Sequence, residues 1–523
     1  MPAKVDIEYL DKARAIARDV VMSYGAGKPF MKECDVRVEV GVGKGAMAEN
    51  GSVKRAGEDY GFAIGVHALA GDGALASGYV GKQLGTADVG RFDSELKQAI
   101  DAAHARAMAS ARSKQRVRSR FSALGGSLES LDWAPVRVDQ KTIPAQFKID
   151  PGSVSLEKVQ GATLDSCKLI AGLDKSVVYS VVGASTSLIR ELFVSSEGID
   201  IDFTYAQTEA IALIVASGPN GNLEFYDSLG HQRGWEVIES GVNSGPIREL
   251  SLLDFARKLG KDTVETCAAP LMKTTDGPVT VVVDPHFAAL IAHEIIGHPS
   301  ELDRALKYET AYAGRSWFLK QPGDDMRGKQ IASPLLTAFS DPTIEGFGHF
   351  LYDHEGTPAR RVFHIRNGVY EEFVNNRQTA ALFGVEPNGS CRATDASFVP
   401  LIRMTNTTIA PGKDDPAAIV KEVDDGYYIS GHRIPSIAES RENFRISAMK
   451  VYQIKNGQLG QLYRDGGIIS DTRDFFMSID AMGSDWQLFP VPNCGKGQPM
   501  QAKRMSNGGP TFRARAVVTG ASR

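Results

Sequence analysis

The chain has 523 residues, of which 42% are hydrophobic and 23% charged, with a formal net charge of -4. That length exceeds a single hydrophobic core, so two or three domains are expected. The slightly acidic balance gives no electrostatic reason to expect nucleic acid or an anionic membrane as partner.

No run of about eighteen apolar residues marks a membrane span. The opening segment has no apolar core followed by a small-residue cleavage site, so no secretory signal is expected. The five cysteines, Cys34, Cys167, Cys267, Cys391 and Cys494, are far apart and form no Cys-x-x-Cys pair. A disulfide framework is therefore not expected, and a reducing, cytoplasmic location is.

In chain order, Ile7, Leu10, Ile16, Ala17, Val20 and Val21 share a face at helical spacing, predicting a helix from about Asp6 to Tyr24 with Gly25 at its end. Asp35-Val36-Arg37-Val38-Glu39-Val40 alternates polar and apolar, as a half-buried strand does. Strands are expected around 62–69 and 76–80, and a helix from Asp93. The basic stretch from Arg112 to Arg120 reads as a solvated linker and a domain boundary. Helix follows at 155–172. The runs 176–182, 187–195, 201–204 with 210–216, and 223–226 read as an antiparallel meander, and helix returns at 251–259. From Pro278 onward the chain is rich in loops and strands.

The chemistry concentrates after Val279-Thr280-Val281-Val282-Val283, a β-branched run that predicts a buried strand. Asp284 is a favoured N-cap and Pro285 a favoured first helical residue, so a helix should start there. It carries His293-Glu294-Ile295-Ile296-Gly297-His298. Neutral imidazoles bind zinc, and a nearby carboxylate can take a proton from water that the metal acidifies. The spacing has one residue more than the zincin His-Glu-x-x-His. At i and i+5 two side chains stand about 140° apart on a regular α-helix, so a shared metal requires a broken or bulged helix. Gly297 and Pro299 offer a means, with the helix expected to end or distort at His298. From these residues alone, metal ligation and a chance pairing of histidines both stay open.

Further segments accompany this one. Glu301 and Asp303 follow the second histidine. Then come Ile331-Ala332-Ser333-Pro334-Leu335, Asp353-His354-Glu355-Gly356-Thr357-Pro358, Arg403-Met404-Thr405-Asn406-Thr407 and Cys494-Gly495-Lys496-Gly497-Gln498. In this order they resemble the signature segments of the TldD/PmbA family. Cys34-Asp35-Val36-Arg37 and Glu49-Asn50-Gly51-Ser52-Val53 resemble its opening. The cysteine segment is one residue shorter than the family pattern, and the tail from Ala502 to Thr511 differs from the usual Gly/Val-rich ending.

The resemblance implies a zinc-dependent peptidase of the catalytic, TldD-like type. It implies His293, His298 and Cys494 as metal ligands, one zinc per chain and Glu294 as base. It implies a dimer, either with a second copy or with a paralogue lacking the His-Glu motif, and unfolded or extended peptides as substrate. Glu301 and Asp303 are expected either to orient ligands, with Glu301 also a candidate ligand, or to be solvated or cap a helix. His354 is a candidate pocket residue. Asn406 is expected either to hold peptide backbone or to tie down a turn. His349 and His364 are expected to be scattered away from the metal by strand alternation.

The expected fold is α+β, with an N-terminal α+β region built on an antiparallel sheet. A β-rich C-terminal metallopeptidase domain then carries the active-site helix. Expected boundaries are 1–120, 121–250 and 251–523. Two other functions remain open at this stage, a non-enzymatic partner subunit with an idle metal site and a metal hydrolase of a non-peptide amide.

Overall fold

A computed structural model of the chain describes residues 7–120, 132–311, 314–321 and 324–521. The fold is α+β. The N-terminal half is built on long antiparallel strands: β1 (Met31–Glu49), β2 (Ser52–Ala70), β3 (Ala76–Gln83), β5 (Val177–Ser195), β6 (Asp200–Gly218) and β7 (Gly221–His231). With the short β4 (Gln140–Ile143) they form one sheet in the order β3-β2-β1-β5-β6-β4, and β7 also pairs with β6. Helices α1 (Tyr9–Asp19), α2 (Phe92–Arg120) and α3 (Leu156–Ala171) cover one face.

Strand alternation sends even-numbered residues of β1 to the helices. Val36, Val38 and Val40 pack with Leu10, Leu96 and Ile100. Further along the same strand Ala46 and Ala48 pack beneath α3 with Val159 and Ile170. The odd-numbered residues were expected to meet solvent, yet Asp35 is 6% and Arg37 5% exposed. The C-terminal body covers that second face, so β1 is buried on both sides.

Three expectations about this half change. The meander strands at 176–182 and 187–195 are one continuous strand, as are those at 201–204 and 210–216. The small residues between them do not break pairing, because Gly43 and Gly45 of β1 lie opposite Ser187 and Ser185 and leave room for close approach. The basic stretch from Arg112 is the end of α2 rather than a linker; residues 121–131, where the boundary would fall, lie outside the described residues. Strands before and after that boundary share one sheet. The helix Leu252–Cys267 packs Ala256 and Leu259 into the core beneath α3, so it belongs with the N-terminal sheet rather than with the C-terminal body.

The C-terminal body is built on two large sheets, with two further two-stranded sheets among the described residues. In the first, Val279–Val283 pairs with Asp425–Ile437 on one side and Phe512–Thr519 on the other. Asn443–Lys455 and Gly467–Asp471 close the circuit into a five-stranded ring. The second has eight strands and includes Ala338–Ser340, Thr407–Ile409, Gln501–Gly509 and Gln487–Lys496. Val281, Val283, Ile446, Ile468 and Phe512 of the ring share a core with Phe287 and Ile291 of the helix that follows Val283. All five cysteines are unpaired and buried. Among the described residues no helix is long and apolar enough to cross a membrane.

Candidate metal centre

The helix begins as its sequence requires. Asp284 caps it, its Oδ1 accepting from Phe287 N at 2.7 Å, and Pro285 occupies the first turn. The same carboxylate accepts from Ser430 Oγ (2.8 Å) and Gly431 N (3.1 Å), which anchors the helix start to the ring. The α-helix runs Pro285–Ile291 and passes into a π-helix, Ala292–Gly297.

This widened turn, with the His298 N–H bonded to the carbonyl of His293, is what places two residues five apart on one face. The rings of His293 and His298 meet edge to face, centroids 4.8 Å apart. The helix does not end at His298; the distortion lies in the π turn before it and in the change to a 3-10 turn there. The His298 φ and ψ of -60° and -43° are helical, a 3-10 turn continues through Ser300, and the chain leaves the helix at Glu301. Gly297 is also helical, at -65° and -60°. Its role is close approach, since a Cβ there would lie 2.5 Å from Met404 Sδ.

Cys494 reaches the same point from the strand Gln487–Lys496. One ligand atom from each of His293, His298 and Cys494 lies within 4.8 Å of the others, and all three residues are buried. The shorter cysteine segment thus still delivers its sulfur to the histidines. Cys494 Sγ is 3.5 Å from His298 Nε2. Metal–nitrogen bonds of about 2.0 Å and metal–sulfur bonds of about 2.3 Å, set at a tetrahedral angle, give an edge of about 3.5 Å. The donor set fits zinc.

The surrounding groups fix which nitrogen faces the centre. Asn507 Nδ2 donates to the carbonyls of Thr407 (3.0 Å) and Thr405 (3.4 Å). Its Oδ1 therefore turns to His293 and accepts from Nδ1 at 2.9 Å. Glu301 Oε2 accepts from His298 Nδ1 at 3.1 Å. Both rings carry their proton on Nδ1 and present the Nε2 lone pair inward, the usual arrangement of metal-binding histidines.

Glu301 is fully buried and committed elsewhere. It accepts from Arg304 Nε (2.7 Å) and Met404 N (3.1 Å), and Lys496 Nζ stands 3.2 Å away. Lys496 also donates to Asp303 Oδ1 at 2.7 Å. Glu301 and Asp303 thus form an ionic frame behind His298. Burial raises the Cys494 thiol, but His298 and His293, when protonated, and Arg403 outweigh it and hold it well below the usual thiol range.

Glu294 points its carboxylate at Arg441, whose Nη1 donates to Oε2 (2.6 Å) and to the Glu294 carbonyl (2.7 Å). Burial raises this carboxyl; Arg441, then His293 and His298, outweigh it and bring it to about 2. Arg441 was not foreseen. It sits at φ 64° in the hairpin joining two ring strands, and nothing in its local sequence signals the role. Asn507 was missed as well, although it lies in the tail that departs from the family pattern.

The other expected site residues lie apart from this centre. Asn406 accepts from Gly348 N and Ser506 N and donates to Ile344 O, so of its two expected roles the turn-tying one is observed. His354 lies between the two halves of the molecule. Its Nε2 is 3.0 Å from Glu191, its Nδ1 accepts from Ala393 N, and it lines a small cavity there. His364 is buried against Ser340 and the Glu372 carbonyl, and His349 against the Pro342 carbonyl.

The chain is similar to several known proteins. Residues 276–520 match the family profile described as PmbA/TldA metallopeptidase C-terminal domain. A metalloprotease of Methanothermobacter thermautotrophicus is 28% identical over 328 residues, 63% of this chain and 66% of the relative. The chain thus spans about two thirds of that protein's length. A zinc metalloprotease TldD homolog of Saccharolobus solfataricus is 28% identical over 64% of this chain and 69% of its own. The crystal structure of TldE from Thermococcus kodakarensis shares the fold at a TM-score of 0.66 and 16% identity, covering 96% of this chain and all of that one. Residues 276–520 thus belong to the TldD/PmbA family by their profile match, and the chain is similar to curated metalloproteases named as TldD homologs.

Proposed function

We propose that this protein is a zinc-dependent peptidase of the catalytic, TldD-like type, with His293, His298 and Cys494 as ligands to one zinc per chain. The observation that carries the proposal is the convergence of two imidazoles, each anchored through Nδ1, and the Cys494 sulfur at one buried point. Three protein donors leave a fourth position for chemistry.

Bound zinc polarises a carbonyl and acidifies water. Glu294, next to His293 and ionised at neutral pH, accepts a proton from the attacking water on its carboxylate and passes it to the leaving amine. Arg441 holds Oε2 and fixes the orientation of that carboxylate. Asn507 and Glu301 keep the imidazoles in the tautomer that faces the metal.

The family resemblance further supports unfolded or extended peptides as substrate, and a dimer formed with a second copy or with a motif-lacking paralogue. The cysteine strand suits an extended substrate. Among the described residues its outer edge pairs with another strand only at Leu488, which suits strand addition along that edge.

The test is zinc content and turnover of an unstructured protein by wild type, Glu294→Gln and His293→Ala. Glu294→Gln should keep about one zinc and lose about 10² to 10⁴ in turnover, the usual contribution of a positioned base. His293→Ala should lose both. Zinc-loaded wild type that cleaves no peptide, alone or with its paralogue, would refute the proposal.

A further inference from the structure

The face of the N-terminal sheet opposite its helices carries Arg37, Glu39, Glu191 and Tyr205, and it covers a cavity of about 80 Å³ against the C-terminal body. Most charges around this space are neutralised in place. Glu191 accepts from Tyr205 Oη (2.8 Å) and faces His354 Nε2 (3.0 Å). Arg504 makes two 2.6 Å bonds to Glu209. Arg37 donates to Tyr79 Oη and to the carbonyl of Ala396.

Two cations, Arg392 and Lys503, form no direct ion pair among the described residues, although the Glu39 and Glu191 carboxylates lie near enough to Lys503 to act on it. Arg392 is 6% exposed, and its Nε and Nη2 reach no hydrogen-bond partner among the described residues. Its guanidinium lies over the Phe350 ring, 4.5 Å from the centroid, which covers its face but satisfies none of its N–H groups. Lys503, on the same wall, donates among the described residues a long bond, 3.5 Å, to the Thr394 carbonyl. A buried guanidinium stripped of water and given no acceptor is costly. A planar fork of N–H groups matches a carboxylate.

The position links this space to the metal centre. Lys503 is the direct partner of Cys494 in the ladder between Gln487–Lys496 and Gln501–Gly509. Paired residues of adjacent antiparallel strands lie about 5 Å apart. Arg403 spans the same two strands, donating to the carbonyls of Cys494 and Gln501. The size is also selective. A water needs about 10 to 15 Å³ by the same measure, so the cavity suits a carboxylate with a few waters and excludes an aromatic side chain.

We infer that Arg392 and Lys503 form a subsite that binds a carboxylate of the peptide substrate, either its C-terminal α-carboxylate or an acidic side chain. This rests on the peptidase reading above and adds a specificity to it.

The test is fluorescence anisotropy of dye-labelled pentapeptides on zinc-loaded Glu294→Gln protein, which binds without turnover. Three peptides are compared: a free acid with no acidic side chain, the same sequence as C-terminal amide, and an amide carrying one glutamate. A carboxylate-bearing peptide should bind about tenfold or more tightly than the neutral amide, the worth of one charge-assisted bond. Which of the two shows the gain identifies the carboxylate recognised. Adding Arg392→Gln should erase the preference while the neutral amide binds as before, and Lys503→Gln should weaken it. The three-peptide comparison on Glu294→Gln protein stands even where the added Arg392→Gln does not fold. Equal binding of the three peptides, or a preference that survives Arg392→Gln, would overturn the inference while peptide cleavage by wild type still stands. Absence of cleavage with the carboxylate preference intact would instead count against the peptidase reading alone.

Discussion

Asn507→Ala separates the tuning of the metal centre from the stability of its surroundings. Asn507 is fully buried and makes three bonds, one accepted from His293 Nδ1 and two donated to the carbonyls of Thr405 and Thr407. Truncation leaves the imidazole N–H without an acceptor, and no solvent reaches it. The ring is then free to rotate or to change tautomer, either of which removes Nε2 as a ligand. Loss of such an outer partner costs about 10- to 100-fold in metal affinity, or about 1.4 to 2.8 kcal/mol. The stranded carbonyls should cost about 1 to 3 kcal/mol of fold stability in addition. Zinc competition against a chromophoric chelator reads the first quantity, and denaturant unfolding of the metal-free protein reads the second. Asn507→Asp keeps an acceptor on Nδ1 and should bind zinc within a few-fold of wild type. An Asn507→Ala protein with lowered stability and unchanged zinc affinity would refute the reasoning and make Asn507 a purely structural residue.

Two further predictions concern pH. Arg441 is the principal group holding the Glu294 carboxyl down against its burial. Arg441→Gln should therefore raise the acid limb of the kcat/KM profile by about one to two pH units, within the range a neighbouring arginine imposes on a carboxylate; an unmoved limb would detach Glu294 from that limb. His231 is 1% exposed, neither ring nitrogen makes a well-formed hydrogen bond among the described residues, and burial, aided by Arg233, lowers it to about 3. The unfolded chain protonates this ring near 6.5 while the folded one stays neutral, so its contribution is full above 6.5 and is lost as pH falls towards 3. His231→Leu should flatten the loss of stability between pH 7 and 4 by up to about 3 kcal/mol. Urea unfolding at several pH values checks this, and an unchanged slope would refute it.

Much of the site's frame was legible because its signals are local. A β-branched run, then Asp284-Pro285, is enough to stop a strand and start a helix, and the structure uses both residues so. The His-Glu spacing alone required a bulged helix. It did not say which kind, because a π turn and a chain break at proline satisfy the same spacing. Hydrogen bonding and packing around Gly297 and Met404 select the π turn. Strand alternation in β1 was also legible, but its polar face looked solvent-exposed, since no local signal shows that a distant part of the chain will cover it.

By itself, then, the sequence determined the α+β class, the start of the metal-bearing helix, two histidines and a carboxylate at fixed spacing, and, through the signature segments, a third ligand candidate far along the chain. Only the tertiary structure decided what surrounds them. Asn507 meets His293 across 214 residues and Arg441 meets Glu294 across 147, while Arg392 is stranded beside a strand partner of Cys494. Capping and periodicity act over a turn or two of chain, whereas these pairings depend on which strands become neighbours, and that is settled by burying the whole sheet at once.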